Sequence, residues 1–346
     1  MAADPPVSAV LIGAGMVART HVAACLDSEA VALKGIFSRR AAPAQAIIDE
    51  VADRADLTLY PDIEAVASDD VDFAIVVTPP NARVALIGAL VAAGKPVLLE
   101  KPVARSLAEA EEVVEICETA EVPLGIVFQH QMRAASVKAA DLVAGGGLGD
   151  LGLVEITVPW WRDQAYYNEP GRGTYGRDGG GVLISQAIHT LDLALSLIGP
   201  VTEVQAMTAT TAFHEMEAED FATASLRFEN GAVGSMVAST ASFPGSAETI
   251  ALHFERASLR LDSGVLTVSW RDGQVETFGE TAGTGGRADP MAFTHTWHQG
   301  IIEDFAEAIR TGRAPVASGR DALAVHRLID AIETSARSGR IEEVRA

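Results

Sequence analysis

The first part of the chain alternates short, continuous apolar runs with longer segments of helical composition. The apolar runs, which we predict to be strands, lie at 7–15, 31–38, 57–60, 71–80, 96–102 and 122–129. The predicted helices between them lie at 16–27, 41–53, 62–69, 82–94 and 106–120. Continuous apolar strands separated by helices are typical of a parallel sheet that is covered on both faces. The pattern therefore predicts a doubly wound α/β domain.

The pattern changes after residue 125. We predict a helix at 136–147 and a strand at 151–161. A polar glycine-rich loop follows at 162–181, and then an apolar segment of helical spacing at 182–199. Several β-like runs follow between 201 and 279, where Asn230-Gly231 and Asp272-Gly273 predict tight hairpin turns. A glycine-rich loop at 279–290 precedes two closing helices. We therefore predict an α+β domain with a large, mostly antiparallel sheet. We place the two domains at 1–125 and 126–346, with the closing helices able to pack back on the first.

Composition narrows the possible classes of protein. The chain has 346 residues, more than one ordinary domain, so two domains are expected. Hydrophobic residues make up 48% and aromatic residues 5%, which predicts ample and mostly aliphatic cores. The 47 acidic and 26 basic residues give a formal net charge of −21. This charge opposes binding to nucleic acid or to an anionic membrane surface.

The cysteines and the N-terminus bear on the compartment. Cys25 and Cys117 are the two cysteines, and they lie far apart in apolar, helix-like segments. This does not fit a disulfide framework or a cysteine-based metal site, and reduced thiols are consistent with cytoplasm. The sequence has no evident secretory signal and no apolar stretch of the roughly 18 residues that a membrane span needs. We expect a cytoplasmic protein and assign no metal-ligating residue.

The segment GAGMVA at 13–18 follows the first predicted strand and opens the first helix. Gly13 allows the tight turn, Gly15 allows a pyrophosphate to approach the backbone, and the small Ala18 fits against the sheet. The helix N-terminus, which includes Met16 and Val17, offers N–H groups to phosphates. In this strand–turn–helix context the motif predicts a dinucleotide site. The alternative is a plain turn between a strand and a helix.

The second predicted strand ends in Ser38, Arg39 and Arg40 instead of the acidic residue that accepts from the ribose 2′-hydroxyl of NAD. A hydroxyl with guanidinium groups suits a 2′-phosphate, because arginine makes charge-assisted hydrogen bonds to it. We therefore favour NADP(H) over NAD(H). The alternative is that these arginines belong to a solvated loop.

Two further strands end in segments that carry functional groups. VVTPPN, with Thr78, Pro79 and Asn81, ends the fourth strand, where a loop would lie beside a bound cofactor. LLEKPVA, with Glu100 and Lys101, ends the fifth strand at the same predicted edge of the sheet. Lysine is rarely buried without a purpose, and in a cleft it can donate or accept a proton. The alternatives are an ordinary turn for the first segment, and a salt bridge or exposed strand end for the second.

The apolar segment 182–199 carries a candidate proton relay. His189 and Asp192 lie three residues apart on one predicted helix face, with Ser185 one turn earlier. An imidazole near a reacting hydroxyl is suited to proton transfer. The alternative is a structural histidine.

Taken in order, these motifs resemble those of the glucose–fructose oxidoreductase / inositol dehydrogenase / rhizopine-catabolism family of NAD(P)-dependent oxidoreductases. The resemblance covers nearly the whole chain and rests on GAGMVA, TPPN, EKP, GGG followed by IHTLD, and a late DFAEAIRTGRAP. It implies a Rossmann domain and a second domain whose large antiparallel sheet often forms dimers or tetramers. It also implies hydride transfer between nicotinamide C4 and a secondary carbinol of a sugar, cyclitol, sugar acid or related polyol.

The resemblance implies roles for individual residues. Lys101 matches the family lysine that hydrogen-bonds the reacting oxygen, and His189 matches the histidine that serves in proton transfer, so both are candidate catalytic residues. The proline of the EKP tripeptide follows a cis peptide in relatives, and the resemblance implies the same for Pro102. The candidate cofactor-binding residues are Gly13, Gly15, Met16, Val17, Ser38, Arg39, Arg40, Thr78, Pro79, Asn81, Glu100 and Lys101. The candidate substrate-binding residues are Lys101, Trp161, Arg162, Arg172, Ser185, His189 and Asp192.

Three positions depart from the family pattern. Ser185 stands where many members have an aspartate four residues before the histidine, so a Lys–Asp–His arrangement is incomplete. Arg83 stands where many members have a histidine, two residues after the asparagine of the proline loop. Arg172, within Gly-Arg-Gly-Thr, stands where a Trp-Arg pair is common, which suggests that it contacts substrate.

The loop WWRDQAYY at 160–167 is a candidate wall of a substrate cleft. Trp161 and Tyr166 could stack on and hydrogen-bond a sugar, and Arg162 could hold an acidic group. The alternative is a surface loop or an oligomer contact.

Two other classes of function are weighed against a dehydrogenase. A non-catalytic protein that senses nicotinamide nucleotides could use the same scaffold, but the presence of both Lys101 and His189 argues against it. A Rossmann methyltransferase would not explain a lysine at a strand end followed by a second sheet domain.

Overall fold

The computed structural model describes residues 5–283, 286 and 293–345. They divide into two compact units. The first unit contains the described residues of 5–104, 108–129 and 295–322. The second unit contains those of 105–107, 130–294 and 323–345. Residues 284, 285 and 287–290 of the predicted glycine-rich loop lie outside the described residues. Among the helices of the described ranges, none has the length and apolar character needed to cross a membrane.

The first unit contains a six-stranded parallel sheet. Its strands are β1 (Val7–Ile12), β2 (Val31–Phe37), β3 (Thr58–Tyr60), β4 (Phe73–Val76), β5 (Val97–Glu100) and β6 (Leu124–Val127). The spatial order is β3-β2-β1-β4-β5-β6, and every neighbouring pair is parallel. The order reverses between β1 and β4, which is where doubly wound sheets bind ligands beyond the carboxyl ends of their strands. The predicted parallel α/β fold is confirmed.

Helices follow the strands of the first unit as predicted. They are α1 (Ala18–Leu26), α2 (Ala41–Glu50), α3 (Ile63–Ser68), α4 (Arg83–Ala92) and α5 (Leu107–Thr119). A later helix, α9 (Thr296–Thr311), packs against α1 and β6 of the same unit. Phe305 on α9 meets Phe73 on β4 edge to face, with ring centroids 5.5 Å apart. The apolar face of α9 therefore contributes to the core beneath the parallel sheet.

The second unit contains a nine-stranded sheet with the order β14-β13-β12-β11-β7-β10-β9-β8-β15. The strands are β7 (Leu151–Pro159), β8 (Val201–Ala209), β9 (Phe221–Phe228), β10 (Val233–Ser239), β11 (Thr249–Phe254), β12 (Ala257–Asp262), β13 (Val265–Trp270), β14 (Val275–Gly279) and β15 (Glu342–Glu343). Only β7 and β10 pair in parallel within this sheet. The predicted mostly antiparallel sheet is confirmed.

Both predicted hairpin turns are present. Asn230-Gly231 joins β9 to β10, and Asp272-Gly273 joins β13 to β14. The glycine of each pair has a positive φ, +87° at Gly231 and +93° at Gly273, which other residues rarely adopt. The turn chemistry of the sequence therefore sets the register of these strands.

One face of the nine-stranded sheet is covered by helices. The helices assigned in the second part of the chain are α6 (Ala134–Ala144), α7 (Gln164–Tyr167), α8 (Ile188–Ile198) and α10 (Gly319–Ser338). Both α6 and α8 pack on the sheet. On the strands, apolar side chains also remain exposed, at Leu153, Met207, Val233 and Val237.

The segment predicted as one helix over 182–199 differs from that prediction. It begins with a π-helical turn at Leu183–Ala187, and only then continues as α8. The carboxylate of Glu219 caps the start of this turn, because it accepts from the amides of Gly181 at 3.1 Å and Leu183 at 3.0 Å. A Cβ at Gly181 would lie 1.8 Å from the Glu219 carbonyl oxygen, so this contact requires glycine. The chain is thus fixed against Glu219 before α8 begins.

Candidate active site

The glycine turn after β1 has the open backbone that a dinucleotide needs. Gly13 has φ +118°, and a Cβ there would lie 3.0 Å from Val77 Cγ2. Its amide donates to the Phe37 carbonyl at 2.8 Å, which ties the end of β1 to the end of β2. A Cβ at Gly15 would meet no described atom within 4 Å, so this side of the turn is open. The adjoining Met16 is exposed.

The residues after β2 are placed for contact with solvent or with a ligand. Ser38 is half-buried, whereas Arg39 and Arg40 are exposed and directly precede α2. Within the part of the chain that the structure describes, neither arginine forms an ion pair. Both guanidinium groups are therefore available to an anion at this edge of the sheet.

Arg83 joins the two loops that follow β4 and β5. It begins α4, and its guanidinium donates to the Thr78 carbonyl through Nε at 3.0 Å and Nη2 at 2.8 Å. Its Nη1 donates to the Pro102 carbonyl. Burial lowers the pKa of this guanidinium to about 10, which leaves it charged at neutral pH. The sequence marked Arg83 only as a departure, whereas the structure shows it holding the TPPN and EKP segments together.

The EKP segment follows β5 directly. Lys101 is half-buried, and the peptide bond between Lys101 and Pro102 is cis, as the family resemblance implied. Before it, the buried carboxylate of Glu100 accepts from His21 Nε2 at 2.9 Å and lies 3.7 Å from His298 Nε2. The two imidazole rings meet edge to face at 5.1 Å. Glu100 thus sits between two histidines that come from α1 and α9.

The electrostatics of this cluster favour an ionised Glu100. Burial by itself raises the pKa of the carboxyl, but the hydrogen bond from His21 and the charge of Lys101 outweigh it, so the net change is downward. Burial lowers the pKa of His298 to about 3, so this imidazole is neutral at physiological pH. An anion is therefore held beside Lys101 in the first unit.

The same three residues are also a possible metal-ligand set. One ligand atom from each of His21, Glu100 and His298 lies within 4.8 Å of the others, and imidazole with carboxylate suits zinc. The 2.9 Å between His21 and Glu100 is, however, the length of a hydrogen bond. The buried guanidinium of Arg83 and the ammonium of Lys101 supply positive charge nearby. A hydrogen-bonded cluster accounts for the geometry without an ion.

In the second unit, His189 and Asp192 are both buried on α8. Asp192 accepts from Gln131 Nε2 at 2.8 Å. The ring of His189 stacks on that of His130, with centroids 4.8 Å apart and an interplanar angle of 26°. Ser185 lies in the π-helical turn and is half-buried, so its predicted position one α-helical turn before His189 is changed by the wider turn. Sequence reasoning did not find His130, because nothing in QHQMR distinguishes it.

The loop at 160–167 is built into the second unit. Arg162 is buried, and its guanidinium carbon lies 5.3 Å from the Trp160 ring and 5.6 Å from the Tyr166 ring. Trp161 packs edge to face against Phe243 at 5.3 Å. Arg172 lies 4.7 Å above the Tyr166 ring. The alternative of a plain surface loop does not fit a buried arginine among aromatic rings.

Arg172 and Gln186, which both contact the Tyr166 hydroxyl, each have one further polar atom without a hydrogen-bond partner among the described residues. Arg172 Nη1 and Gln186 Nε2 both lie close to the Tyr166 hydroxyl, at 3.4 Å and 3.3 Å. Arg172 Nε and Gln186 Oε1 are buried and form no hydrogen bond with the described residues. The first can only donate and the second can only accept. They are therefore one buried donor and one buried acceptor that the described residues do not use.

Two family models match the chain. The model described as an oxidoreductase family with NAD-binding Rossmann fold matches residues 7–128, and the model of the GFO/IDH/MocA C-terminal domain matches residues 136–260. A D-apiose dehydrogenase of Paraburkholderia graminis is 28% identical over 352 residues, which covers 97% of this chain and 89% of the relative.

Two further similarities are to proteins that are also named dehydrogenases. The myo-inositol 2-dehydrogenase of Thermotoga maritima is 31% identical over 175 residues, 49% of this chain and 50% of the relative. A levoglucosan dehydrogenase in complex with NADH and levoglucosan has a TM-score of 0.85 at 21% identity, covering 98% of this chain and 99% of its own, and supports the fold alone. The first model covers all six strands of the parallel sheet, and the second covers β7 to β11 and most of β12 in the nine-stranded sheet. The chain belongs to the GFO/IDH/MocA family of oxidoreductases, whose first domain is an NAD-binding Rossmann fold.

Proposed function

We propose that this oxidoreductase transfers a hydride between a nicotinamide cofactor and a secondary alcohol or ketone of a sugar, cyclitol or sugar acid. The observation that carries the proposal is Lys101, half-buried directly after β5 and next to the ionised, buried Glu100. An ammonium group beside an anion can donate a hydrogen bond to a developing alkoxide. The carboxyl edge of the parallel sheet is where doubly wound folds bind their ligands.

The cofactor would be held by three loops at that edge. The open backbone at Gly15, with Met16, Val17 and the first turn of α1, suits a pyrophosphate. Thr78, Pro79 and Asn81 would line the nicotinamide half, and the cofactor would supply the hydride acceptor or donor. For the chain itself, Lys101 donates to the reacting oxygen and His189 exchanges the hydroxyl proton. Neither role needs a metal ion.

The polar atoms near Tyr166 support a polyol substrate. Arg172 Nε and Gln186 Oε1 would donate to and accept from a substrate hydroxyl, and Asp192 and Ser185 would contact others. Trp161 and Arg162 would form the remaining wall. The carbohydrates named for the relatives, D-apiose, myo-inositol and levoglucosan, are therefore the first substrates to test.

NADP(H) is the preferred cofactor in this proposal. The exposed Arg39 and Arg40 after Ser38 offer two guanidinium groups to a 2′-phosphate, and no carboxylate follows β2 at that point. The Arg39→Ala/Arg40→Ala variant should lower affinity for NADPH by about tenfold or more and leave affinity for NADH within about twofold. Tighter binding of NADH than of NADPH by the unaltered protein would reject the preference.

We also propose that the chain works as a cytoplasmic homodimer or homotetramer, with the first domain for the cofactor and the second for substrate and assembly. The register places Val237 beside Thr157 of β7 and Thr223 of β9, and Thr223 beside Met207 of β8. Val237 and Met207 are exposed and the two threonines between them are half-buried, and exposed apolar side chains on a sheet face favour association. Light scattering of the Val237→Lys variant, compared with the unaltered protein, tests this surface.

The central experiment measures absorbance at 340 nm with each cofactor and the substrates named above. Lys101→Met should still bind the cofactor and lose about 10²–10⁴-fold in kcat. Full activity in this variant would reject the role of Lys101. Cofactor binding without turnover of any sugar, cyclitol or sugar acid would favour the second candidate, a nicotinamide-sensing protein.

A further inference from the structure

The second unit contains a buried polar chain that ends at His189. His130 lies in the 3-10 turn Gln129–Met132, and its ring stacks on His189. Arg133 Nη2 lies 2.6 Å from His130 Nε2, and Arg133 Nη1 donates to Glu248 Oε1 at 2.7 Å. Trp160 Nε1 donates to Glu248 Oε2 at 3.2 Å. These side chains come from four separate segments of the sequence and are all buried.

The chemistry of arginine fixes the state of His130. A guanidinium has donors only, so His130 Nε2 must carry a lone pair and accept from Arg133. The remaining ring proton is then on Nδ1, which lies 3.9 Å from Glu248 Oε1. A second proton on the imidazole would place two N–H groups against each other beside a fixed positive charge. His130 is therefore neutral, in one tautomer and in one orientation.

A neutral, fixed ring is a suitable surface against which to orient a second imidazole. His189 is the second residue of α8, directly after the π-helical turn, and its ring lies flat against His130 with an interplanar angle of 26°. Stacking restricts rotation of the His189 ring about its side-chain bonds. Proton transfer depends on that orientation, because the nitrogen must point at the proton that it exchanges.

We propose that His130 is a positioning residue for His189, and that Arg133, Glu248 and Trp160 hold His130 in place. This inference rests on the proposed function, which gives His189 its part in proton transfer. No residue of the chain Trp160–Glu248–Arg133–His130 needs to touch the substrate. Their effect is to present the His189 imidazole in one orientation before substrate arrives.

Two substitutions distinguish the effect of ring stacking at His130 from the effect of its hydrogen bond with Arg133. His130→Phe keeps a planar ring against His189 but cannot accept from Arg133. His130→Asn can accept from Arg133 but has no ring to stack. If His130 positions His189 by stacking, kcat in the phenylalanine variant should exceed that in the asparagine variant by about tenfold, with KM values for cofactor and sugar similar in both. A role limited to folding would instead give activities that follow the melting temperatures.

The assay measures steady-state turnover with D-apiose, myo-inositol or levoglucosan, whichever the unaltered protein oxidises, alongside thermal unfolding of each variant. Equal kcat values for the two variants, or a higher value for the asparagine variant, would overturn the proposal. His326→Phe, a buried histidine on α10, controls for replacing any buried imidazole by phenylalanine and should keep full activity. His189→Asn tests the proposed function separately, because unchanged turnover there would reject the role of His189 itself.

The state of His130 has a readout that does not depend on activity. Long-range proton–nitrogen NMR of the ¹⁵N-labelled protein at pH 7 distinguishes the two neutral tautomers and the cation, and His130→Phe identifies the signal. A neutral imidazole with its proton on Nδ1 supports the proposal, whereas the other tautomer or a charged ring overturns it. If no substrate of the panel is turned over, the proposed function fails and this spectrum still decides the state of His130.

Discussion

We expect ionisation of Glu333 to destabilise the second unit as the pH rises toward neutrality. Glu333 lies on α10 with its side chain 19% exposed. Burial, and next the negative charge of Glu219, raise its pKa from 4.5 to about 7, against the opposing effect of Arg337. The folded state binds this proton more tightly than the unfolded state. The contribution of protonated Glu333 to the free energy of unfolding is therefore fully present below pH 4.5 and is lost as the pH rises through about 7.

The magnitude follows from the two pKa values. A tenfold change in proton affinity corresponds to about 1.4 kcal/mol, so the difference between 4.5 and about 7 corresponds to about 3 kcal/mol in all. Glu333→Gln mimics the protonated side chain but loses the 3.4 Å ion pair with Arg337. We therefore expect the variant to be about 1–3 kcal/mol more stable than the unaltered protein at pH 8, and within about 1 kcal/mol of it at pH 5.

Urea unfolding at pH 5, 6.5 and 8, followed by tryptophan fluorescence, measures this difference. Three of the four tryptophans, Trp160, Trp161 and Trp270, belong to the second unit, so the signal reports mainly on the unit that contains Glu333. Glu217→Gln removes an exposed carboxylate of the same unit and controls for the change in net charge. A Glu333→Gln variant whose advantage at pH 8 is no greater than at pH 5 would refute the reasoning.

Three further predictions follow from buried contacts. Glu100→Gln should lower kcat by about 10–100-fold, because it removes the charge beside Lys101. It should change the free energy of unfolding by less than about 1.5 kcal/mol, because glutamine still accepts from His21. Steady-state kinetics and urea unfolding of the variant test both effects. Arg83→Met should cost about 2–4 kcal/mol of stability and weaken cofactor binding, since it removes the donor to the half-buried Thr78 and the buried Pro102 carbonyls. Calorimetry and nucleotide titration measure the two effects, and unchanged values would contradict the role of Arg83. Gly181→Ala should lower the free energy of unfolding by about 2 kcal/mol or more, because the new Cβ would lie 1.8 Å from the Glu219 carbonyl oxygen. In the control variant Gly176→Ala the new Cβ has no described atom within 4 Å, so its melting temperature should be close to that of the unaltered protein.

Regular features of the fold could be predicted because each one is encoded locally. The strand ending in Val76 is apolar throughout and buried on both faces of the sheet, so its composition alone identified it. Asn230-Gly231 and Asp272-Gly273 identified two hairpins, because the positive φ of Gly231 and Gly273 suits few other residues. The π-helical turn before α8 could not be predicted, because the side chain that caps its start, Glu219, lies more than thirty residues later in the chain.

The candidate site was predictable where motifs carry it and not where tertiary contacts do. Lys101 and His189 stand in recognisable segments. His298 and Glu248 stand in segments with no motif, and their importance is visible only when folding brings them to Glu100 and Arg133. Arg83 was noticed as a departure from the family pattern, but its hydrogen bonds to two separate loops could not be read from an apolar helical segment.

Both candidate catalytic side chains thus lie against buried charged clusters built from distant segments. Glu100 beside Lys101 is held by His21, and His130 beside His189 is held by Arg133. A buried charge costs free energy to desolvate, and its partner commonly offsets that cost without adding net stability. Such clusters are therefore poor devices for stabilising a fold but good ones for fixing the direction and charge of a neighbouring group. A substitution that keeps the hydrogen bond and removes only the charge, such as Glu100→Gln, should consequently change turnover more than unfolding, the opposite of what is expected at Gly181 or Arg83.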